Sequence, residues 1–202
     1  MVGPNEVGVG PWVGDWPDDP RLDPDLLAGG DRRNVLDRYR YWHLDAIVAE
    51  LDSRRHDFSV AIENWHHDRN IGTVVRTANA FLAREVVIVG RRRWNRRGAM
   101  VTDRYQHLVH VETIAELRTH AGHVPIVGVD NLPGSVPIET FALPQKVILL
   151  FGQESVGLTD EARAACTAVC SIAQYGSTRS INAGVAAGIA MHVWIRAHAA
   201  LP

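Results

Sequence analysis

Residues that can do chemistry follow three candidate strands in this sequence. The first segment, "ENWHHDRNIGTVVRTANAF", passes from a strand end through a polar loop into a helix that begins near Asn70 and carries Arg76 two turns later. A guanidinium group is always charged, so an arginine at this point either pairs with a carboxylate or faces an anionic ligand. The segment by itself leaves both alternatives open.

The second segment, "LLFGQESVGLTDEA", places Glu154 between Gly152 and Gly157 at the end of an all-apolar strand. Glycines let a backbone approach a ligand closely, and a carboxylate here can act as a base, bind a cationic ligand or pair with the arginine of the first segment. Thr159, which is followed by two acidic residues, predicts the N-cap of the next helix. An ordinary strand-to-helix turn with a solvated glutamate is the alternative.

The third segment, "SIAQYGSTRSINAGVAAGIAMHVW", predicts a strand, a loop of glycine and hydroxyl residues, and a long helix capped by Ser180. Asn182 then falls in the first helical turn, where exposed backbone N–H groups favour anionic or polar ligand groups. The many small residues after it predict a helix that packs closely against another backbone. That packing accounts for the apolar stripe of the helix but not for Asn182.

The elements that must position these residues form a repeating pattern from about residue 56 onward. Short β-rich runs alternate with helical stretches, which predicts an α/β fold with a mostly parallel sheet and helices on both faces. The runs are "FSVAIEN", "EVVIVG", "LVHVE", "VPIVGVD", "VILLFG" and "VCSIA". Because ligands of such sheets bind at the carboxyl ends of the strands, the loops after the strands are where a site is expected.

The N-terminal part differs in composition from the rest. Residues 1–30 are rich in Gly, Pro and Asp and predict a mobile or surface-draped leader, and residues 31–55 have approximately helical spacing. The remaining residues, 56–202, are expected to form one domain. Residues 1–31 contain seven acidic side chains and one basic, whereas the other 171 residues contain 20 basic and 16 acidic. The positive excess therefore lies outside the acidic first 31 residues.

Several classes of protein are disfavoured by the sequence. No apolar run reaches the roughly 20 residues of a membrane span and no signal peptide is evident, so a cytoplasmic protein without membrane contact is expected. Cys166 and Cys170, four apart in a stretch that reads as helix, are expected to be reduced. No metal site is expected, because His66 and His67 have no Cys or His partner at ligand spacing.

Together, the three segments resemble the three motifs of the SpoU (TrmH-type) RNA ribose 2'-O-methyltransferases of the SPOUT superfamily. Asn70 and Arg76 match the first motif (N-x5-R-T-A), and "GQESVG" matches the second (G-x-E-x-x-G). "SIAQYGSTRSINAGVA" matches the third, although Ala173 and Gln174 stand where the family usually has Pro-Met. The resemblance extends from about Arg54 to the end of the sequence.

The resemblance implies an S-adenosylmethionine-dependent methyltransferase that modifies a ribose 2'-hydroxyl, a deep C-terminal trefoil knot that binds the cofactor, and a homodimer. The implied catalytic residues are Asn70, Arg76, Glu154, Ser180 and Asn182. The implied cofactor-binding residues are Gly152, Gly157, Ile172, Gln174, Gly176 and Ile181. Among RNA substrates, tRNA is the first expectation and rRNA the second. A non-catalytic RNA-binding protein of the same fold is the alternative.

The segment "GRRRWNRRG" indicates where RNA would bind. It follows the predicted strand "EVVIVG", on the same side as the motif loops, and a run of guanidinium groups can contact phosphates while a tryptophan stacks on a base or covers apolar surface. A merely solvated charged face is the alternative. The predicted RNA-binding residues are Arg91, Arg92, Arg93, Trp94, Arg96 and Arg97, together with the basic pair Arg54 and Arg55.

Overall fold

The computed structural model describes residues 8–64, 70–153 and 156–200. The chain divides into two compact units, an N-terminal unit up to Arg54 and a larger unit that begins at Arg55. None of the helices in the described ranges is both long and apolar enough to cross a membrane.

The N-terminal unit contains residues of both the predicted leader (residues 1–30) and the predicted helical segment (residues 31–55). Its elements are α1 (Pro24–Gly29), the 3-10 turn Asp37–Tyr39 and α2 (Leu44–Asp52). Antiparallel bridges pair Val9 with Asp31 and Leu22 with Trp42. The leader is therefore held against the residues that follow it, and the helical spacing predicted over residues 31–55 is realised only in α2 and the 3-10 turn.

Asp31 is a buried acidic residue of the N-terminal unit that accepts several hydrogen bonds. Its side chain is fully buried, and its carboxylate accepts hydrogen bonds from Nε and Nη2 of Arg33 at 2.9 and 2.7 Å. The backbone N–H groups of Arg33 and Tyr41 donate to the same carboxylate, each at 3.0 Å. Burial by itself raises the pKa of Asp31, but these donors together outweigh it, so the pKa lies below the ordinary value.

Replacing Asp31 with asparagine is expected to lower the free energy of unfolding by about 2 kcal/mol near neutral pH, because the ion pair and one acceptor are lost. A lowered folded-state pKa means that the stabilisation is present above the unfolded pKa of about 3.9 and is lost as the pH falls through the folded pKa. Urea unfolding of wild type and Asp31→Asn at about pH 7 and about pH 2.5 should therefore show a difference that shrinks in acid. An equal difference at both pH values would contradict this account.

The larger unit contains the predicted α/β fold. In chain order its strands are β1 (Phe58–Asn64), β2 (Val86–Gly90), β3 (Leu108–Val111), β4 (Ile126–Val129), β5 (Val136–Pro137), β6 (Val147–Phe151) and β7 (Ala168–Ser171). Its helices are α3 (Ile71–Ala80), α4 (Ile114–Ala121), α5 (Asp160–Ala165) and α6 (Ala183–His198). Within the described residues the strands form one parallel sheet in the order β3-β2-β1-β6-β4-β7-β5. The prediction of a mostly parallel sheet is confirmed.

Helices cover both faces of the sheet. Phe58, Val60 and Ile62 of β1 pack on one face with residues of α3 and α6. Ala61 of the same strand packs on the other face with residues of α4 and α5. Strands buried on both faces carry continuous apolar runs rather than alternating ones, which explains "VILLF" in β6.

Helix α6 begins later than the sequence analysis predicts. Its N-cap is Asn182, whose Oδ1 accepts hydrogen bonds from the backbone N–H groups of Gly184 and Val185 at 3.0 and 3.2 Å. Ser180 precedes the helix and does not cap it. The prediction of a Ser180 cap was therefore wrong, because the asparagine side chain satisfies the free N–H groups of the first turn instead.

Cys166 and Cys170 were predicted to lie in one helix, but they belong to different elements. Helix α5 ends at Ala165, Cys166 is its C-cap in an extended conformation, and Cys170 lies in β7. Both thiols are free, and burial raises the pKa of each to about 11. Both are therefore protonated at neutral pH.

Candidate active site

A cavity of about 630 Å³ lies at the carboxyl ends of β4, β6 and β7. Its size is within the roughly 300–1,000 Å³ of small-molecule and cofactor sites. The motif residues that line it are Gly152, Gly157, Ile172, Gln174, Ser180, Ile181 and Asn182. Gly176 is exposed and lies outside the lining. The second and third motif segments therefore meet around one cavity, as the parallel sheet predicts.

The turn after β6 closes tightly on itself. The backbone of Gln153 exchanges two hydrogen bonds with Gly157, at 3.2 and 2.9 Å. A Cβ on Gly152 would lie 2.0 Å from the carbonyl carbon of Gly157, and Gly157 itself has a φ of +75°. Both positions therefore require glycine, and at these two positions only backbone is presented to the cavity.

Two carboxylates that were not singled out from the sequence lie beside this turn, one fully buried and one partly buried. Glu63, at the end of β1, is fully buried, and its carboxylate accepts hydrogen bonds from the backbone N–H and the hydroxyl of Thr159 at 3.0 and 2.7 Å. Asp130, which follows β4 and lines the cavity, accepts the backbone N–H of Leu158 at 2.8 Å. The available signal was that each acid is the first charged residue after an apolar strand run.

The first and third motif segments meet through two asparagines. Asn182 donates from Nδ2 to Oδ1 of Asn70 at 2.9 Å, while its own Oδ1 caps α6. Asn70 is itself the buried N-cap residue of α3. Helices α3 and α6 approach each other closely beside this hydrogen bond, since a Cβ on Gly184 would lie 3.1 Å from Cγ2 of Thr73. The contact therefore joins the N-terminal ends of α3 and α6 at the rim of the cavity.

Arg76 lies in α3 with its side chain exposed to solvent. The helix is buried on the opposite side, where Ile71, Val74 and Val75 pack into the core. Among the described residues no acidic side chain forms an ion pair with Arg76. Glu154 and the loop residues 65–69 lie outside the described residues, so the expected role of Glu154 stays a prediction.

The arginine segment is held against the sheet at its start. Asn64, the buried last residue of β1, donates from Nδ2 to the backbone carbonyls of Arg91 and Arg93 at 2.6 and 3.0 Å. Trp94 packs partly buried against the core, and the Arg96 guanidinium lies 5.6 Å from the centroid of its ring. Of the two predicted roles for this tryptophan, the structure therefore favours covering apolar surface.

A close backbone contact connects the end of the arginine segment to α3. A Cβ on Gly72 would lie 2.7 Å from the backbone nitrogen of Ala99 and 2.8 Å from Cα of Gly98. Gly72 is two residues from Asn70, so the contact brings the exposed arginines to the same end of α3 as the asparagine pair. Only glycine permits this approach of the two backbones.

The basic pair Arg54 and Arg55 has partners within the protein. Arg54 forms an ion pair with Glu50 at 2.9 Å. Arg55 donates to the backbone carbonyls of Ala83 and Tyr105 at 3.1 and 2.8 Å. These contacts favour structural roles for both arginines. The described part of the chain also has no group of three or more His, Cys, Asp or Glu side chains that could hold a metal ion.

The larger unit has the fold of solved RNA methyltransferases. The SpoU methyltransferase AviRb from Streptomyces viridochromogenes, solved with AdoMet (S-adenosylmethionine), gives a TM-score of 0.62 at 27% identity and covers 73% of this chain and 60% of its own. An AdoMet-bound rRNA methyltransferase from Sinorhizobium meliloti gives 0.62 at 26% identity, over 74% and 59% of the two chains. The A. aeolicus TrmH/SpoU tRNA modifying enzyme shares the fold, with a TM-score of 0.66 at 22% identity over 76% and 81%.

The family follows from the sequence comparison. Residues 57–192 match the model of the SpoU rRNA Methylase family, a range that includes the motif residues Asn70, Arg76, Glu154 and Asn182. The chain belongs to the SpoU rRNA methylase family, and the resemblance inferred from the motifs is confirmed.

Curated relatives are longer than this chain. A protein from Mycolicibacterium vanbaalenii named as a tRNA/rRNA methyltransferase is 30% identical over 185 residues, which cover 85% of this chain and 58% of the relative. A Mycobacterium ulcerans protein with the same name is 30% identical over 161 residues, or 76% of this chain and 51% of the relative. The chain thus spans between 51% and 58% of the length of these two relatives.

Proposed function

We propose that this protein transfers the methyl group of S-adenosylmethionine to a ribose 2'-hydroxyl of RNA, with tRNA as the first candidate substrate and rRNA as the second. The observation that carries the proposal is the hydrogen bond between Asn182 and Asn70 at the rim of the cavity. It joins a cofactor-sized cavity to the helix that carries the exposed Arg76. Two solved proteins with this fold bind AdoMet.

The residues of the cavity fit S-adenosylmethionine. Ile172 and Ile181 provide apolar surface, and the turn of Gly152 and Gly157 provides exposed backbone. Oε1 of Gln174 is buried without a hydrogen-bond partner among the described residues. A ligand N–H or O–H group would satisfy this acceptor. When bound, the cofactor supplies an electrophilic methyl group on a sulfonium.

Arg76 has the central role in the proposed reaction. The cavity would hold the cofactor, whose methyl group would pass to the ribose oxygen, and the hydroxyl proton would leave to water at the exposed side of the site. Because the guanidinium pKa is above about 12, we assign Arg76 to a phosphate of the RNA and to the charge that develops on the ribose oxygen, rather than to proton abstraction. Its solvent-exposed position in α3 supports contact with a large substrate.

The other motif residues would position the reactants. Asn70 and Asn182 hold the ends of α3 and α6 together, Ser180 lines the cavity beside them, and Glu154 would orient Arg76 and the ribose. We also propose the trefoil knot and the homodimer that the family resemblance implies. Val185, on the first turn of α6, is 54% exposed and is a candidate for the dimer interface.

The proposed RNA surface consists of the exposed arginines Arg91, Arg92, Arg93, Arg96 and Arg97. The backbone of their loop is anchored to β1 by Asn64 and to α3 by the Gly72–Gly98 contact. The loop that carries the guanidinium groups is therefore held beside the motif residues. A preformed basic surface lowers the ordering cost of binding a phosphate backbone.

Replacing Arg91, Arg92 and Arg93 together with glutamine is expected to weaken RNA binding about 10-fold to 100-fold and to reduce the salt dependence of log K by about 2, because up to three phosphate contacts are lost. Filter binding at several salt concentrations measures both quantities. The matched control replaces three exposed arginines elsewhere, Arg84, Arg118 and Arg163, with glutamine. Equal losses in the two triple variants would show a general effect of charge and would contradict a local RNA surface.

The proposed reaction is tested by methyl transfer from labelled S-adenosylmethionine to bulk tRNA and to bulk rRNA from cells that lack the gene. The expected result is label in one pool that resists alkaline cleavage at the modified nucleotide, as a 2'-O-methyl ribose does. Label on a base instead would refute ribose specificity. Cofactor binding without transfer to either pool would favour the non-catalytic alternative.

A further inference from the structure

The turn after β6 is held from both sides by acids of the neighbouring strands. In the sheet, β6 lies between β1 and β4, and Glu63 and Asp130 are at the carboxyl ends of these two neighbours. The backbone N–H groups of two consecutive residues, Leu158 and Thr159, donate to Asp130 and Glu63 at 2.8 and 3.0 Å. We call Glu63 and Asp130 the carboxylate pair.

Glu63 is bound at both of its oxygens. Oε2 accepts the backbone N–H of Thr159, and Oε1 accepts the Thr159 hydroxyl at 2.7 Å. The hydroxyl oxygen in turn accepts the backbone N–H of Ala162 at 3.2 Å, as the N-cap of α5. A fully buried carboxylate is costly unless its lone pairs are satisfied. Thr159 supplies two of its donors, so the end of the turn is tied to β1.

Asp130 connects the two walls of the cavity. Its Oδ2 accepts Leu158 N–H, and its Oδ1 accepts the backbone N–H of Asn131 at 2.7 Å. The Asn131 side chain then donates to the backbone carbonyl of Arg179, in the third motif segment, at 3.1 Å. A Cβ on Gly157 would lie only 2.3 Å from Oδ2 of Asp130. Asp130 therefore fixes the glycine turn directly and the third segment through Asn131.

We infer that Glu63 and Asp130 are positioning residues that hold the cofactor-binding turn in its binding conformation before the cofactor arrives. Neither needs to touch the methyl group. The turn is glycine-containing and exposes backbone, so without external acceptors it would have more conformations to lose on binding. The inference rests on the proposal that the cavity binds S-adenosylmethionine.

The two acids differ in what an amide can replace. Both partners of Asp130 are backbone N–H groups, which only donate, so Asp130→Asn places its NH2 group against a donor. At Glu63 one partner is a hydroxyl, so the glutamine of Glu63→Gln can accept the Thr159 N–H and donate to Oγ1. Asp130→Asn is therefore expected to disrupt the turn, whereas Glu63→Gln preserves most of it and Glu63→Ala does not.

The test measures hydrogen exchange at the amides of Leu158 and Thr159 in the free protein, together with the affinity for S-adenosylhomocysteine by calorimetry. Asp130→Asn and Glu63→Ala are expected to speed exchange and to raise Kd by at least about tenfold each, with the KM for RNA unchanged. Glu63→Gln is expected to stay within about threefold of wild type. The matched control is Asp160→Asn, which removes a carboxylate that is 97% exposed in the first turn of α5.

Unchanged exchange and unchanged affinity in Asp130→Asn would overturn the inference. If that variant does not fold, Thr159→Ala takes its place, because it removes one donor to Glu63. Unchanged exchange and unchanged affinity in Thr159→Ala would also overturn the inference. If wild type itself does not bind S-adenosylhomocysteine, the proposed function fails. In that case the exchange rates alone test whether the carboxylate pair holds the turn, and faster exchange in the variants would support that role.

Discussion

Arg76→Ala is expected to reduce methyl transfer by at least about 100-fold while leaving the affinity for S-adenosylhomocysteine within about twofold of wild type. The physical reason is that Arg76 is exposed in α3 and absent from the cavity lining. Its loss should therefore remove an interaction with RNA and with the developing charge, not a contact to the cofactor. Single-turnover transfer to a fixed RNA and calorimetry measure the two effects separately.

Arg76→Lys makes this prediction more specific. A lysine keeps the charge but loses the planar fork of donors that can contact a phosphate and a ribose oxygen together, so an intermediate rate is expected. Arg163→Ala is the control, because Arg163 is an arginine of another helix whose contact is an exposed ion pair with Asp160. Full activity of Arg76→Ala would eliminate the proposed role. Loss of cofactor affinity along with activity would indicate instead that Arg76 contributes to cofactor binding.

The second large effect is expected for Gly152→Ala, which should weaken cofactor binding by at least about 100-fold. The new Cβ would lie 2.0 and 2.2 Å from the backbone of Gly157 and 2.2 Å from the nitrogen of Leu158. These neighbours are backbone atoms, so the turn must open to make room, and the surface that it presents to the cavity changes. Calorimetric titration with S-adenosylhomocysteine measures the loss, and circular dichroism checks that the fold is kept.

Gly176→Ala is the matched comparison for this prediction. Both glycines are predicted from motifs, but a Cβ on Gly176 meets no atom within 4 Å and Gly176 does not line the cavity. Its replacement is expected to change the affinity by less than about threefold. An equal loss in the two variants would show that the close contact at Gly152 is not the reason for the effect.

The sequence was sufficient to predict the elements on which the site depends. The apolar runs of β1 and β6 and the alternation with helices predicted the parallel sheet, because period and composition are local properties of the chain. The parallel arrangement in turn predicted that the segments after β6 and β7 meet, as they do around the cavity. The spacing of Asn70 and Arg76 on one helix was readable for the same reason.

Local signals were ambiguous where two residues competed for one role. Ser180 and Asn182 can both cap a helix, and the serine was predicted to do so. The contact with Asn70, which comes from a segment 112 residues away, is part of what holds Asn182 at the cap. The stretch from Cys166 to Cys170 likewise has helical spacing of its apolar residues. Cys166 instead ends α5, and Ala168–Ser171 forms β7, as the run "VCSIA" indicated, because it pairs with β4 and β5.

The sequence by itself determined the family, the class of fold and the motif residues, because these depend on which residues occur and how they are spaced. Only the tertiary structure identified Glu63 and Asp130, because their role depends on which strands flank β6. That order brings the ends of β1 and β4 to consecutive N–H groups of one turn. Such an arrangement joins residues far apart in the chain and leaves no periodic pattern in the sequence.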